Sequence, residues 1–141
     1  MDTTLEKINI FLQKHHILSL ASSGAEGLSA CTLFYTYIPS HNIFVFASDT
    51  KTQHAQNLLE NPEVAGTIAL ETKIVGKIQG VQFRGRCKLL EEKELAKHYY
   101  KAFPYALAMN PTLWIIEVEY FKFTDNTLGF GKKLIWQDAS R

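Results

Sequence analysis

The sequence predicts a mainly β chain: a small antiparallel β-barrel of about six strands, with flanking helices that plug its ends. Three observations predict it. Short apolar runs and alternating apolar–polar stretches, bounded by Gly, Pro, Asn and Ser, recur along the chain. Only three segments carry helical spacing. Most strand pairs therefore lack the crossover helix that a parallel βαβ array needs. A two-layer α+β sandwich is the runner-up. The 141 residues, 46% of them hydrophobic, suit one domain over 1–141 that builds its own core.

Each element has its own signal. Thr3 and Glu6 have capping-box spacing and open a first helix, where Leu5, Ile8 and Leu12 recur beside Phe11. Ile17 to Ala21 is a short apolar run closed by Ser22-Ser23-Gly24 and Gly27. Leu28 to Ile38, rich in Thr, Phe and Tyr, reads as a strand, and Pro39-Ser40-His41-Asn42 as a turn. Ile43 to Ala47 is a continuous apolar run typical of a buried strand. Thr50 and Gln53 repeat the capping-box spacing and open a second helix through Ala55, Leu58 and Leu59. Asn61-Pro62 ends it, because proline disfavours the helical region for the residue before it.

The second half repeats the β-rich theme. Val64 to Leu70 reads as a strand, and Lys73 to Leu90 as one long strand or a hairpin interrupted at Gly76 and Gly80. Glu91 to Phe103 is a helix with Leu95, Tyr99 and Phe103 on one side, stopped by Pro104. Leu113 to Phe123 alternates, with Ile116, Val118 and Tyr120 opposing Glu117 and Glu119.

Composition narrows the function. A net charge of +1 lacks the broad basic surface that general nucleic-acid binding needs. No apolar run reaches the roughly 18–20 residues of a membrane span, so no membrane partner is expected. The N-terminal MDTTLEKINIFLQKHH is polar and acidic before its apolar positions, unlike a signal peptide. Two cysteines, Cys31 and Cys87, make neither a disulfide framework nor a metal spacing. A cytoplasmic chain is the expectation. Charge is uneven: residues 1–70 hold three Lys/Arg against six Asp/Glu, and residues 71–141 twelve against eight. A small anionic ligand or a plain solvated surface fits that asymmetry equally.

The most informative segment runs from Ala47 to Asn57, where a buried strand passes into a helix N-terminus. Unpaired N–H groups and the helix dipole make such a junction an anion site. Ser48, Thr50 and Thr52 add hydroxyls and Lys51 adds a charge, so the segment can hold a phosphate. Plain helix capping is the other reading.

The same residues resemble a known family. FMN-binding split barrels of the pyridoxamine 5′-phosphate oxidase type carry a pattern at this junction. It runs Ser or Thr, one residue, Lys, two residues, Asn, Leu or Ile, two residues, Asn or Asp, then Pro. Here Thr52-Gln53-His54-Ala55-Gln56-Asn57-Leu58-Leu59-Glu60-Asn61-Pro62 matches every specified position except that His54 replaces the lysine. Gly80-Val81-Gln82-Phe83-Arg84-Gly85 and the tail from Phe123 to Lys133 are similar to the YhbP-like group of that clan. The order of elements agrees over nearly the whole chain.

The resemblance implies a split-barrel homodimer with FMN where the subunits meet. It implies that Thr52 and His54 hold the flavin phosphate, and that residues near Thr32 and Phe34 line the flavin. A lysine stays charged at neutral pH, whereas an unperturbed histidine, with a pKa of about 6.5, is mostly neutral. Lys51 or Arg84 would then supply the missing charge. The implied function is a flavin-dependent oxidoreductase acting on a small molecule. The alternatives are a cofactor-binding or interaction dimer without turnover and a haem binder using one of the five histidines.

Three other features complete the reading. Strand alternation puts Gln82, Arg84, Arg86 and Lys88 on one face, opposite Val81, Phe83, Cys87 and Leu89. Arg84 is the ligand candidate there, since Gly85 permits close backbone approach, while Arg86 and Lys88 suit a solvated face. Gly129-Phe130-Gly131-Lys132-Lys133 lacks phosphate-loop spacing and reads as a turn, with its lysines and Trp136 at the dimer or flavin edge. The histidines show no metal-ligand spacing, and no catalytic side chain is assigned.

Overall fold

A computed structural model describes residues 3–140. Among them, Thr3–Lys14 form helix α1, Gln53–Glu60 α2, Lys93–Ala102 α3 and Tyr105–Met109 α4. Seven strands follow in chain order: β1 Ile17–Gly24, β2 Gly27–Ile38, β3 Ile43–Ala47, β4 Glu63–Ala69, β5 Gln79–Leu89, β6 Leu113–Asp125 and β7 Lys133–Gln137. All pairings are antiparallel, in the order β3-β2-β1-β4-β5-β6-β7, and β3 also pairs with β6. That last pairing closes six strands into a barrel and leaves β7 outside the ring.

Two long strands split the barrel. β2 pairs with β1 through Phe34 and with β3 from Tyr35 onward. β6 pairs with β3 from Leu113 to Glu117 and with β7 from Tyr120 to Thr124. A register shift between Arg84 and Gly85 lets β5 follow β6 through the bend, where Arg84 faces Tyr120 and Gly85 faces Val118. Gly85 is needed there, because a side chain would run into the Glu117 carbonyl.

The core explains why β3 is apolar throughout. Phe44 and Phe46 point into the barrel among Tyr35, Phe83, Trp114 and Phe121. Ile43 and Val45 point outward under α3, where they meet Leu95, Tyr99, Leu113 and Ile115. A strand buried on both faces has no polar side to show. Ile8, Phe11 and Leu12 of α1 pack on the barrel core, and Ala55 and Leu58 of α2 join it too.

Several expectations change. The short β7, which carries Trp136 and follows the expected turn, is a seventh strand beside the expected six or so, and α4 is a fourth helix beside the expected three. Lys73 to Leu90 is neither one strand nor a hairpin, because a 3-10 turn at Val75–Lys77 precedes β5. The cap of α2 is Thr52 rather than Thr50, with the Thr52 hydroxyl accepting from the Ala55 N–H at 3.3 Å. Leu89 ends β5 exposed instead of sharing the buried side of Val81, Phe83 and Cys87.

Candidate functional site

β3 ends where the buried aromatic run ends, and the next residues turn sharply into α2. The turn is tied down at several points. The Ser48 N–H donates to the Thr112 carbonyl at 3.0 Å, and the Trp114 indole N–H donates to the Ser48 carbonyl at 3.0 Å. The Lys51 N–H donates to Asp49 Oδ1 at 2.9 Å, and the Thr52 hydroxyl donates to the Asp49 carbonyl at 2.9 Å.

Three side chains converge inside that turn. Ser48 Oγ is hydrogen-bonded to His54 Nε2, Thr52 Oγ1 lies 3.2 Å from the same nitrogen, and the two hydroxyls are 3.5 Å apart. With the Thr52 proton on the Asp49 carbonyl, an Nε2–H imidazole donates to the two hydroxyls, whereas an Nδ1–H imidazole accepts from Ser48 at Nε2. All three residues are half-buried. Burial lowers the His54 pKa from its ordinary value, so the imidazole is neutral at pH 7. The Lys51 side chain is exposed beside this cluster and is the nearest cation in sequence.

The other end of the same motif is occupied by structure. Asn57, 1% exposed, donates to Ser22 Oγ at 3.4 Å and accepts from the Gln53 side chain at 3.0 Å. Asn61 donates to Ser23 Oγ at 3.0 Å, and Glu60 Oε2 accepts from the Ala25 N–H at 2.7 Å. These contacts dock α2 on the β1–β2 hairpin. Gly24 leaves room for them, since a side chain there would strike Asn57. Their partners lie 35–38 residues away in sequence, so no local signal announces them.

The remaining predicted residues occupy two other places. Phe34 sits beside the β2–β3 register pair Tyr35–Phe46, at the end of β3 from which Ser48 emerges. It is 58% exposed, with its ring 5.7 Å from Phe103. Thr32 is exposed on the same outer face of β2, opposite Ser19, which in turn faces Thr67 on β4. That face is open, and its middle is built of small residues, Ser19 and Ala21 on β1 and Ala65 and Thr67 on β4, with Ile17 and Phe34 exposed toward one end. Arg84 lies on it three strands from β2, roughly 14 Å along the sheet at ~4.8 Å per strand. Its guanidinium stacks 4.2 Å from the Tyr120 ring centroid, a contact invisible without the β5–β6 register. A shallow hollow of about 460 Å³ opens beside them, lined by Ala65, Thr67, Gln82 and Lys122 among others.

Arg86 and Lys88 pair at 3.6 Å with Glu63 and Glu117, as suits a solvated face. Trp136 faces Phe121 across the β6–β7 pair, 5.8 Å between centroids, and so lies on the core side of the sheet, away from Arg84. Within one chain the structure unites Ser48, Thr52 and His54, with Lys51 in the same turn, but keeps Arg84 and Trp136 apart from them. Among the described residues no group of His, Cys, Asp and Glu is arranged to hold a metal ion. Among them, too, no helix is long and apolar enough to cross a membrane.

Comparison with known proteins agrees with this architecture. The pyridoxamine 5′-phosphate oxidase family model matches residues 4–124. The UPF0306 protein YhbP of Escherichia coli is 39% identical over 137 residues, covering 95% of this chain and 98% of that protein. Among solved structures, a heme binding protein from Mycobacterium smegmatis superposes with a TM-score of 0.79 at 17% identity, covering 97% of this chain and 59% of that one. A FAD-binding protein from Mesorhizobium loti superposes with a TM-score of 0.71 at 15% identity, over 86% of this chain and 92% of that one.

Proposed function

We infer that this chain, which belongs to the pyridoxamine 5′-phosphate oxidase family with UPF0306 relatives such as YhbP, binds FMN as a homodimer and serves as a flavin-dependent oxidoreductase on a small organic molecule. The observation that carries this reading is the convergence of Ser48, Thr52 and His54 at the N-terminus of α2. In the Nε2–H tautomer of His54, both the Ser48 hydroxyl and the imidazole have a proton to turn toward a phosphate oxygen. The positive end of the helix dipole adds to both. That donor set fits a phosphate monoester. It lacks a fixed cation, so Lys51 is assigned the charge.

The rest of the reading follows the fold. Phe34 and Phe103 offer an exposed aromatic edge near the phosphate end, suited to a planar ring. Thr32 lies on the open face of β1, β2 and β4, whose small side chains allow a second subunit to approach closely and exclude water. Arg84 faces the partner across that surface. When bound, FMN supplies electron or hydride transfer at its ring system. The chain's own residues grip the phosphate, orient the ring and exclude water, and none of them is assigned an acid or base role.

A haem reading has two observations in its favour. Burial holds His54 in the neutral form that ligates iron, and the fold superposes well on a heme binding protein. Against it, Nε2 is engaged by Ser48 and Thr52.

An absorption spectrum of the purified protein, followed by titration with FMN and with haem, decides the matter. FMN binding tighter than about 10 μM, roughly −7 kcal/mol, supports the oxidoreductase. A Soret band with no flavin binding selects haem. No saturable binding of either leaves a dimer without a cofactor and defeats the proposal.

A further inference from the structure

Two loops meet at one end of the barrel, away from the α2 junction. The first joins β4 to β5 and carries Lys73, Ile74, Val75 and Lys77. The second joins β6 to β7 and carries Leu128, Phe130 and Lys132, with Lys133 opening β7. Asn126 fastens them together. Its side-chain amide donates to the Val75 carbonyl at 2.8 Å, its backbone N–H donates to the Ile78 carbonyl at 2.9 Å, and its Oδ1 accepts from the Gly131 N–H at 3.0 Å. The two loops therefore present one surface.

That surface combines two properties that seldom coincide. Ile74, Val75 and Leu128 are each about half exposed, and Phe130 is 85% exposed. Gly129 and Gly131 flank Phe130 with φ of 137° and 71°, so the tip is a tight turn from which one large apolar side chain stands out. Around these tips sit four lysines, while the only acidic side chain in the two loops is Glu71. Solvation alone accounts for the lysines. It does not account for four large apolar side chains gathered at the tips.

We propose that this end of the barrel docks on the surface of a bilayer containing anionic lipid. Apolar loop tips enter the headgroup layer, and the surrounding lysines meet the negative surface. Charge complementarity selects this occupant: a neutral apolar groove gains nothing from Lys73, Lys77, Lys132 and Lys133. Projecting tips also suit a fluid surface better than a concave protein site. No spanning segment is required, so the contact is peripheral and independent of the FMN reading.

The test is sedimentation of the full-length chain with phosphatidylglycerol-containing vesicles and with pure phosphatidylcholine vesicles, at low and physiological salt. The expected result is binding to the anionic vesicles alone, weakened by salt. Phe130→Asp and Lys132→Glu each lower the bound-to-free ratio about tenfold. Both positions are exposed, and unchanged melting and light scattering confirm that the variants fold and assemble as the parent does. No binding to anionic vesicles overturns the proposal. So does binding that Phe130→Asp leaves intact, which would reduce the surface to a polyanion site. Loss of self-association in Phe130→Asp would identify the patch as a contact between copies and overturn it equally.

Discussion

The two ends of helix α2 use similar polar residues for opposite purposes. At its C-terminal end, Asn57 and Asn61 spend their side chains on Ser22 and Ser23 and are covered by the β1–β2 hairpin. At its N-terminal end, Ser48, Thr52 and His54 bond chiefly to one another, half-buried at the mouth of the turn. One end is closed by side chains of a distant hairpin. At the other the side-chain contacts are local, among the three groups and the Asp49 and Ala55 backbone, while Thr112 and Trp114 hold only the Ser48 backbone. A single sequence motif therefore contains a fastening and the proposed phosphate grip, and the two should respond differently to substitution.

The largest expected separation comes from Asn57→Ala. It leaves Ser22 and Gln53 without their buried partner and should cost about 2 kcal/mol of stability. FMN affinity of the folded protein should change less than about twofold. Chemical denaturation and an FMN titration on the same sample check both halves. A large loss of affinity with unchanged stability would break the division between the two ends.

Thr52→Ala should do the reverse in kind. Losing the cap costs about 1 kcal/mol, and FMN binding should weaken about tenfold (1.4 kcal/mol) while riboflavin, which lacks the phosphate, is unaffected. Lys51→Ala should weaken FMN more than riboflavin by a smaller factor. Equal loss for both ligands would remove the phosphate from this site.

His54→Lys sharpens the comparison further. It restores the charge the family pattern carries here and should tighten FMN several-fold. An unchanged or weaker affinity would mean that the histidine has a role of its own.

The smallest effect is on pH dependence. Burial holds His54 and His15 below their ordinary values, so each binds fewer protons folded than unfolded. Their contribution to stability is complete above about pH 6.5 and is lost as the pH falls through the lowered folded value. His54→Gln should flatten part of that slope. An unaltered slope would show that His54 is solvated in the folded protein.

The contrast also explains what the sequence revealed. β3 was legible because a strand buried on both faces must be apolar at every position, and the end of α2 because Asn61-Pro62 stops a helix locally. The alternation of β5 held for Gln82, Arg84, Arg86 and Lys88 because each exposed side chain faces solvent across one sheet. β7 was not legible. Its five residues alternate between exposed and half-buried and have no reason to extend except the free edge of β6. The cap at Thr52 was displaced from Thr50 because both threonines have hydroxyls near a helix start. Only the tertiary path of Ser48, pinned by Thr112 and Trp114, selects between them. Neither Asn57 docking on Ser22 nor Arg84 stacking on Tyr120 has a one-dimensional signature.

The pairing of β3 with β6 has a consequence for how the protein is made. Phe46 faces Trp114, and Ala47 faces Leu113. At about 5–20 residues per second of synthesis, the stretch from Ala47 to Leu113 takes roughly 3–13 s to emerge. Through that interval Phe44 and Phe46 have been translated but lack the strand that covers them, and the edge of β3 has no partner. The nascent chain is most exposed to aggregation then, and closure waits for β6 to leave the ribosome.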